Sequence, residues 1–309
     1  MKITFVFPGQ GSQYVGMGQD LVAAYPQART VFEEADAVLG ISLTSLCFGG
    51  PENVLTDTFN AQPALLTHSV AALRVLQSLR PDDTPAFVAG HSLGEYSALV
   101  AAGVMEFADA LKLVRERGRL MKEAGERNPG AMAAIIGMDD GALEAVCQET
   151  GTQIANYNSP GQIVISGSKD AMEQAYTLAK TRGARRVLPL AVSIASHSRL
   201  MEPTAREFER AVAQTPLRAP QVPVISNVTA LPLSADGIKH ELVAQLTSSV
   251  QWIKSIEYAI AHGTTNFIEL GAKDVLAGLI RRINKDTHAI SVGDVASVKA
   301  FVESKSLGG

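Results

Sequence analysis

Ser92 stands between two glycines in Gly90-His91-Ser92-Leu93-Gly94, after the apolar run Ala86-Phe87-Val88-Ala89 and before the helix-like run Glu95-Tyr96-Ser97-Ala98-Leu99-Val100-Ala101-Ala102. A strand that turns sharply into a helix needs glycine wherever a Cβ would clash. It leaves the serine hydroxyl clear at a helix N-terminus, where main-chain N–H groups can receive an oxyanion. The chemistry in view is nucleophilic attack by the serine hydroxyl, with the resulting oxyanion held at the turn. A second reading is open at this point, because Ser92 with Glu95 also makes S-x-x-E, a capping box that starts a helix without catalysis.

A serine hydroxyl is a weak nucleophile until a base takes its proton, which turns attention to the six histidines. His91 adjoins Ser92 at the turn and points away from it; His240 lies between Lys239 and Glu241 on a solvated helix face. His262 precedes Gly263 at a helix C-terminus, His68 is inside a helix and His288 begins a late strand. His197, in Ser193-Ile194-Ala195-Ser196-His197-Ser198, falls where one part of the chain hands over to another, a place that favours ligands; the competing role is a cap for the following helix.

Arg117 is the remaining unusual residue. The helix expected over 107–124 carries Ala110, Val114 and Met121 on an apolar seam, and Arg117 falls inside that seam. Its guanidinium either pairs with a buried protein carboxylate or, near the serine, holds a substrate carboxylate in a bidentate grip, which would make the acyl group a dicarboxylic one.

The elements that must position these residues alternate. Strands are expected at 3–7 and 86–89, with helices within about 17–39 and 60–80 and at 92–102 and 107–124, the pattern of a parallel sheet covered by helices. After Asn128-Pro129-Gly130 the order becomes strand 131–136, helix 139–149, strands 153–157 and 162–166, helix 169–181 and strand 186–192. This βαββαβ series is the ferredoxin-like plan. The α/β alternation then resumes, with strands at 222–226, 266–270 and 289–292 and helices near 199–214, 236–246, 251–262, 274–284 and 295–303. A large α/β domain of residues 1–127 and 198–309, with an inserted domain over 128–197, is therefore expected, and Gly308-Gly309 should fray.

Composition narrows the function classes. The 309 residues, 46% hydrophobic, suffice for a substantial core. A formal charge of -4, from 27 basic and 31 acidic residues interspersed, offers no basic stripe for nucleic acid. The N-terminal run reaches Pro8 too soon for a signal peptide and no apolar run is long enough for a bilayer span, so a cytoplasmic protein without membrane partners is expected. Cys47 and Cys147 lack metal-ligand spacing and read as reduced thiols.

Together with Phe7-Pro8-Gly9-Gln10-Gly11-Ser12-Gln13, Asn60-Ala61-Gln62-Pro63-Ala64-Leu65-Leu66, Gly130-Ala131-Met132-Ala133-Ala134-Ile135, Asn158-Ser159-Pro160-Gly161-Gln162 and Val250-Gln251-Trp252, these residues resemble the malonyl-CoA:acyl carrier protein transacylases over nearly the whole chain. The resemblance implies an α/β-hydrolase-like large domain with a ferredoxin-like insert. It implies an [acyl-carrier-protein] S-malonyltransferase of fatty acid synthesis, with malonyl-CoA and holo acyl carrier protein as partners and no metal or redox cofactor. By the same resemblance Ser92 is the nucleophile, His197 its general base and Arg117 the grip on the malonyl carboxylate. Gln10 and Leu93 supply oxyanion-hole N–H groups, and the Gln251 main-chain carbonyl receives the His197 N–H in place of a triad acid.

Two departures stand out. Gly271-Ala272-Lys273-Asp274 replaces the family's usual glycine-proline-glycine turn, and Ser196 precedes His197 where many malonyl-selective relatives carry phenylalanine. Competing readings are a discrete acyltransferase serving a polyketide synthase, a serine esterase or thioesterase, and a non-catalytic carrier-protein docking module.

Overall fold

The hexapeptide Lys2–Phe7 becomes the middle strand of a sheet, buried over five of its six residues and flanked on both edges. A computed structural model describes residues 2–304; the expected fraying at Gly308-Gly309 lies outside them. From the N-terminus the chain forms β1 (Lys2–Phe7), α1 (Gln19–Ala24), α2 (Pro26–Leu39), α3 (Leu43–Gly49), α4 (Glu52–Thr56), α5 (Thr58–Leu79), β2 (Phe87–Gly90), α6 (Gly94–Ala101) and α7 (Phe107–Arg127). Next come β3 (Gly130–Ile136), α8 (Asp140–Thr150), β4 (Gln153–Ser159), β5 (Gln162–Ser168), α9 (Lys169–Thr181) and β6 (Arg186–Pro189). The chain ends with α10 (Glu202–Gln214), β7 (Val224–Ile225), α11 (Ile238–Ala244), α12 (Trp252–Ala261), β8 (Thr264–Leu270), α13 (Val275–Ile283), β9 (His288–Val292) and α14 (Val295–Glu303).

The first sheet runs β7-β2-β1-β8-β9 with every pairing parallel. Parallel strands need crossovers, and the intervening helices bury both faces, which is why β1 and β2 are buried along nearly their whole length. Ligands of such sheets gather beyond the carboxyl ends of the strands. Here Gly9 and Gln10 follow β1, and Ser92 follows β2.

The second sheet runs β4-β5-β3-β6 and is antiparallel throughout. The helices α8 and α9 close a separate core on it around Ile135, Leu143, Val146, Ile163, Ile165 and Met172. Its outer strand is sewn to the first unit: Val250 N–H donates to the Ala155 carbonyl at 2.8 Å, and Tyr157 N–H donates to the Val250 carbonyl at 2.9 Å. This seam fixes the segment that leads from α11 into α12.

The short helices α3 and α4 have no counterpart in the periodicity, being too brief to show a repeat. The strand expected over 222–226 keeps only two ladder residues, at the sheet's edge. The helix expected over 236–246 ends at Ala244, which matters for the site. Cys47 and Cys147 are free and buried.

Candidate active site

The turn after β2 is as tight as steric contact permits. A Cβ on Gly90 would lie 1.9 Å from the Gly94 carbonyl carbon and oxygen, and one on Gly94 would lie 2.0 Å from the Phe7 carbonyl oxygen. Only glycine lets strand, turn and helix cross so closely. Gly9 is confined in the same way, its missing Cβ directed 2.4 Å from the His91 carbonyl oxygen, so the loop after β1 lies against the turn. Ser92 itself takes φ 51, the left-handed region that a serine enters at a cost. Asn227 holds it there: its Oδ1 accepts the Ser92 N–H at 2.7 Å and its Nδ2 donates to the Gly90 carbonyl at 2.7 Å.

The capping box does not form. Helix α6 starts at Gly94 without a side-chain cap, the Ser92 hydroxyl faces His197, and Glu95 turns into the interior. His197 Nε2 lies 2.9 Å from Ser92 Oγ, while its Nδ1 lies 2.8 Å from the Gln245 carbonyl and 3.1 Å from the Ser248 carbonyl. Two carbonyls can only accept, so Nδ1 carries the proton and the Nε2 lone pair faces the hydroxyl. Burial, with the Arg117 charge next, pushes the His197 pKa down to about 3, so the ring is a neutral base near pH 7.

Gln251 does not have the part expected of it. Its carbonyl accepts the Ser255 N–H at 2.9 Å and the Ser255 hydroxyl at 3.0 Å, because Gln251 is the residue that opens α12. The carbonyls that reach His197 come from the end of α11 and the loop beyond it, where helical carbonyls lack intrahelical donors. An expected helix through 246 hides this, since Gln245 then reads as helix interior.

Arg117 points inward from α7 and is 2% exposed. Its Nη1 donates to Gln62 Oε1 at 2.9 Å, and its Nη2 donates to Gln245 Oε1 at 2.9 Å and to Ser92 Oγ at 3.2 Å. The guanidinium also lies 5.5 Å from the centre of the Tyr96 ring. No ion pair among the described residues includes it, so the buried-salt-bridge alternative is excluded. A buried cation served only by neutral partners is costly. Placed beside the Ser92 hydroxyl, such a cation can receive a carboxylate.

Gln10 lies in the turn after β1 with an exposed side chain whose Oε1 accepts the Thr58 hydroxyl at 2.8 Å. Among the described residues, neither the Gln10 nor the Leu93 main-chain N–H donates to the protein. The other histidines are engaged or remote. His91 Nε2 bonds Asn158 Oδ1 at 2.8 Å with its ring edge against Trp252, His68 Nε2 meets the Gly293 carbonyl at 2.8 Å, and His262 Nδ1 meets the Tyr258 carbonyl at 2.7 Å. Asn227, Gln245 and Ser248 were not legible as site residues; Gln62 stood in a matching motif without a role.

The chain matches the family described as acyl transferase domain over residues 4–300. It is 46% identical over 307 residues to the malonyl CoA-acyl carrier protein transacylase of Escherichia coli, covering 98% of this chain and 99% of that protein. It is 47% identical over 308 residues to the Bacillus subtilis protein of the same name, covering 98% and 96%. Among solved structures, a malonyl-transacylase in complex with a type II polyketide synthase acyl-carrier protein superposes with a TM-score of 0.96 at 43% identity, covering 99% of this chain and 100% of that one. An acyl carrier protein S-malonyltransferase from Vibrio cholerae gives 0.94 at 47% identity, covering 97% and 100%.

Proposed function

This chain belongs to the acyl transferase family, and from that membership we propose that it moves malonyl groups from malonyl-CoA to the phosphopantetheine thiol of an acyl carrier protein through a malonyl ester on Ser92. The observation that carries the reading is Arg117, a buried guanidinium with no protein carboxylate, one hydrogen bond from the nucleophile.

In the first half-reaction His197 Nε2 takes the Ser92 proton as Oγ attacks the thioester carbonyl. The oxyanion is received by the N–H groups of Gln10 and Leu93, the second of them at the opening of α6. As the tetrahedral intermediate collapses, the C–S bond breaks and the imidazolium returns its proton to the CoA sulfur. The second half runs in reverse: His197 takes the proton of the carrier's thiol, sulfur attacks the ester, and Ser92 leaves as the hydroxyl. Arg117 holds the malonyl carboxylate throughout, which gives the dicarboxylic acyl group its preference. The acid of a hydrolase triad has no counterpart here, since His197 Nδ1 is served by main-chain carbonyls. The steps need no metal or redox cofactor, the CoA thioester being substrate.

The order β4-β5-β3-β6, with both helices on one face, supports reading residues 128–197 as a ferredoxin-like insert in an α/β-hydrolase-like unit of residues 1–127 and 198–309. Among the described residues no helix is long and apolar enough to cross a membrane, and two free thiols fit a reducing cytoplasm. A carrier of polyketide synthesis is the second reading, favoured by the complexed structure to which this chain is similar. Two groups of basic residues are candidates to dock an acidic carrier, Arg281, Arg282 and Lys285 at and just beyond the end of α13 and Lys180 and Arg182 at the end of α9; Lys285 and Lys180 are the freer cations, because Arg282 is tied to Gln162, Arg281 to the Ala289 carbonyl and Arg182 to Glu149. The test is transfer: protein charged with malonyl-CoA, freed of CoA and mixed with holo carrier protein should deliver malonyl to the carrier. Release of malonate to water alone would reassign it as a hydrolase.

A further inference from the structure

Glu95 lies three residues beyond the nucleophile, fully buried, and no step of acyl transfer employs it. Both of its oxygens receive N–H donors: the Asn227 main-chain N–H reaches Oε1 at 2.8 Å, and Gln245 Nε2 reaches Oε2. Both donors belong to residues that hold the site. Asn227 clamps Ser92 through its side chain. Gln245 Nε2 also donates to the Ser92 carbonyl at 3.1 Å, while Gln245 Oε1 receives Arg117. A second carboxyl, Glu241, 3% exposed, lies close enough to Glu95 to raise its pKa and accepts the Val228 N–H on its own Oε1 at 3.0 Å.

We propose that Glu95, held by Glu241, is a positioning residue that fixes which end of the Gln245 amide meets Arg117; the proposal rests on reading Arg117 as the partner of the malonyl carboxylate. A primary amide can present either its oxygen or its NH2 group at a given place. Glu95 offers only acceptors, so the Gln245 NH2 turns to it and leaves Oε1 for the guanidinium. The opposite orientation would set donor against donor and drive Arg117 from its place over Ser92.

The carboxyl pair completes the arrangement. Two carboxyls in contact in a dry interior keep a proton between them, and burial together with Glu241 pushes the Glu95 carboxyl well above its usual range. Glu95 receives two N–H donors and the Glu241 side-chain oxygens receive one, so the two carboxyls are held differently. The pair then carries one negative charge, set behind Gln245 from the Arg117 cation.

The two glutamates are therefore not equivalent. Glu95→Gln can satisfy only one of its two donors, since its NH2 must face an N–H. Its kcat/KM for malonyl-CoA is expected to fall about 10- to 100-fold, and its preference for malonyl over acetyl transfer about tenfold. Glu241→Gln keeps both the acceptor for Val228 and a donor for Glu95, and should stay within about threefold of wild type. Glu241→Leu removes the donor at similar volume and should lose the preference as Glu95→Gln does. A folded Glu95→Gln protein with unchanged preference overturns the proposal, as do equal preferences in Glu241→Gln and Glu241→Leu; where Glu95→Gln does not fold, the Glu241 comparison decides alone. Wild-type protein in the same assay separates the two questions, because failure to acylate Ser92 with malonyl-CoA removes the functional reading itself, whatever the variants do.

Discussion

Arg117 Nη2 donates to Ser92 Oγ across 3.2 Å, so one hydroxyl faces a buried cation and, at 2.9 Å, the lone pair of His197. The cation has neutral partners only, and this has two measurable consequences.

Arg117→Met replaces an unpaired buried charge by an apolar chain that fits the seam of α7. Malonyl transfer should fall on the order of 10²-fold or more, as when a charge-assisted contact is removed, with acetyl transfer reduced far less. Equal losses on both substrates would reject the carboxylate-clamp role.

The depressed pKa of His197 sets the pH behaviour. A histidine whose folded pKa lies below its unfolded value stabilises the fold fully above the unfolded pKa. In this protein that contribution is whole above 6.5 and is lost as pH falls from there toward about 3. The acylation rate should therefore stay level between pH 8 and pH 5 instead of halving near 6.5, in a stopped-flow series with malonyl-CoA. Arg117→Met removes one of the two largest causes and should move the acid limb upward. His197→Ala should lose about 10²–10⁴-fold in acylation. A wild-type limb at 6.5 that ignores Arg117 would contradict this account of the base.

Asn227 ties the left-handed Ser92 to the last residue of β2. Asn227→Ala leaves the Ser92 N–H and the Gly90 carbonyl without partners in a buried turn, and should cost about 1–3 kcal/mol of stability. Acylation should slow about tenfold or more as the hydroxyl leaves its place. Calorimetry and acylation kinetics on the same sample check both, and unchanged values in both would mean that the glycines alone hold the turn.

Ser92, His197 and Arg117, which the structure brings together, were legible because each broke a local rule. Ser92 sat between glycines that no ordinary helix start requires, and Arg117 lay on an apolar seam. His197 stood at a junction between two patterns. The residues that orient them broke no rule. Gln245 reaches His197 through a main-chain carbonyl, which any side chain could offer, and it is available only because α11 stops at Ala244. Asn227 is remote in sequence from the turn it clamps. Helix ends and long-range clamps are set by tertiary packing, so the role expected for Gln251 fell instead to two carbonyls a few residues earlier. The layout of strands and helices, by contrast, follows from periodicity, and α9 and α14 begin and end where the pattern places them.

The central claim is that Ser92 carries the malonyl group. Wild-type protein incubated briefly with malonyl-CoA, quenched in acid and digested should give, by mass spectrometry, a single malonylated peptide containing Ser92, and that peptide should revert to the unmodified form when holo carrier protein is added before the quench. An unmodified Ser92 peptide under conditions where malonyl reaches the carrier, or a malonyl group found on another residue, would contradict it.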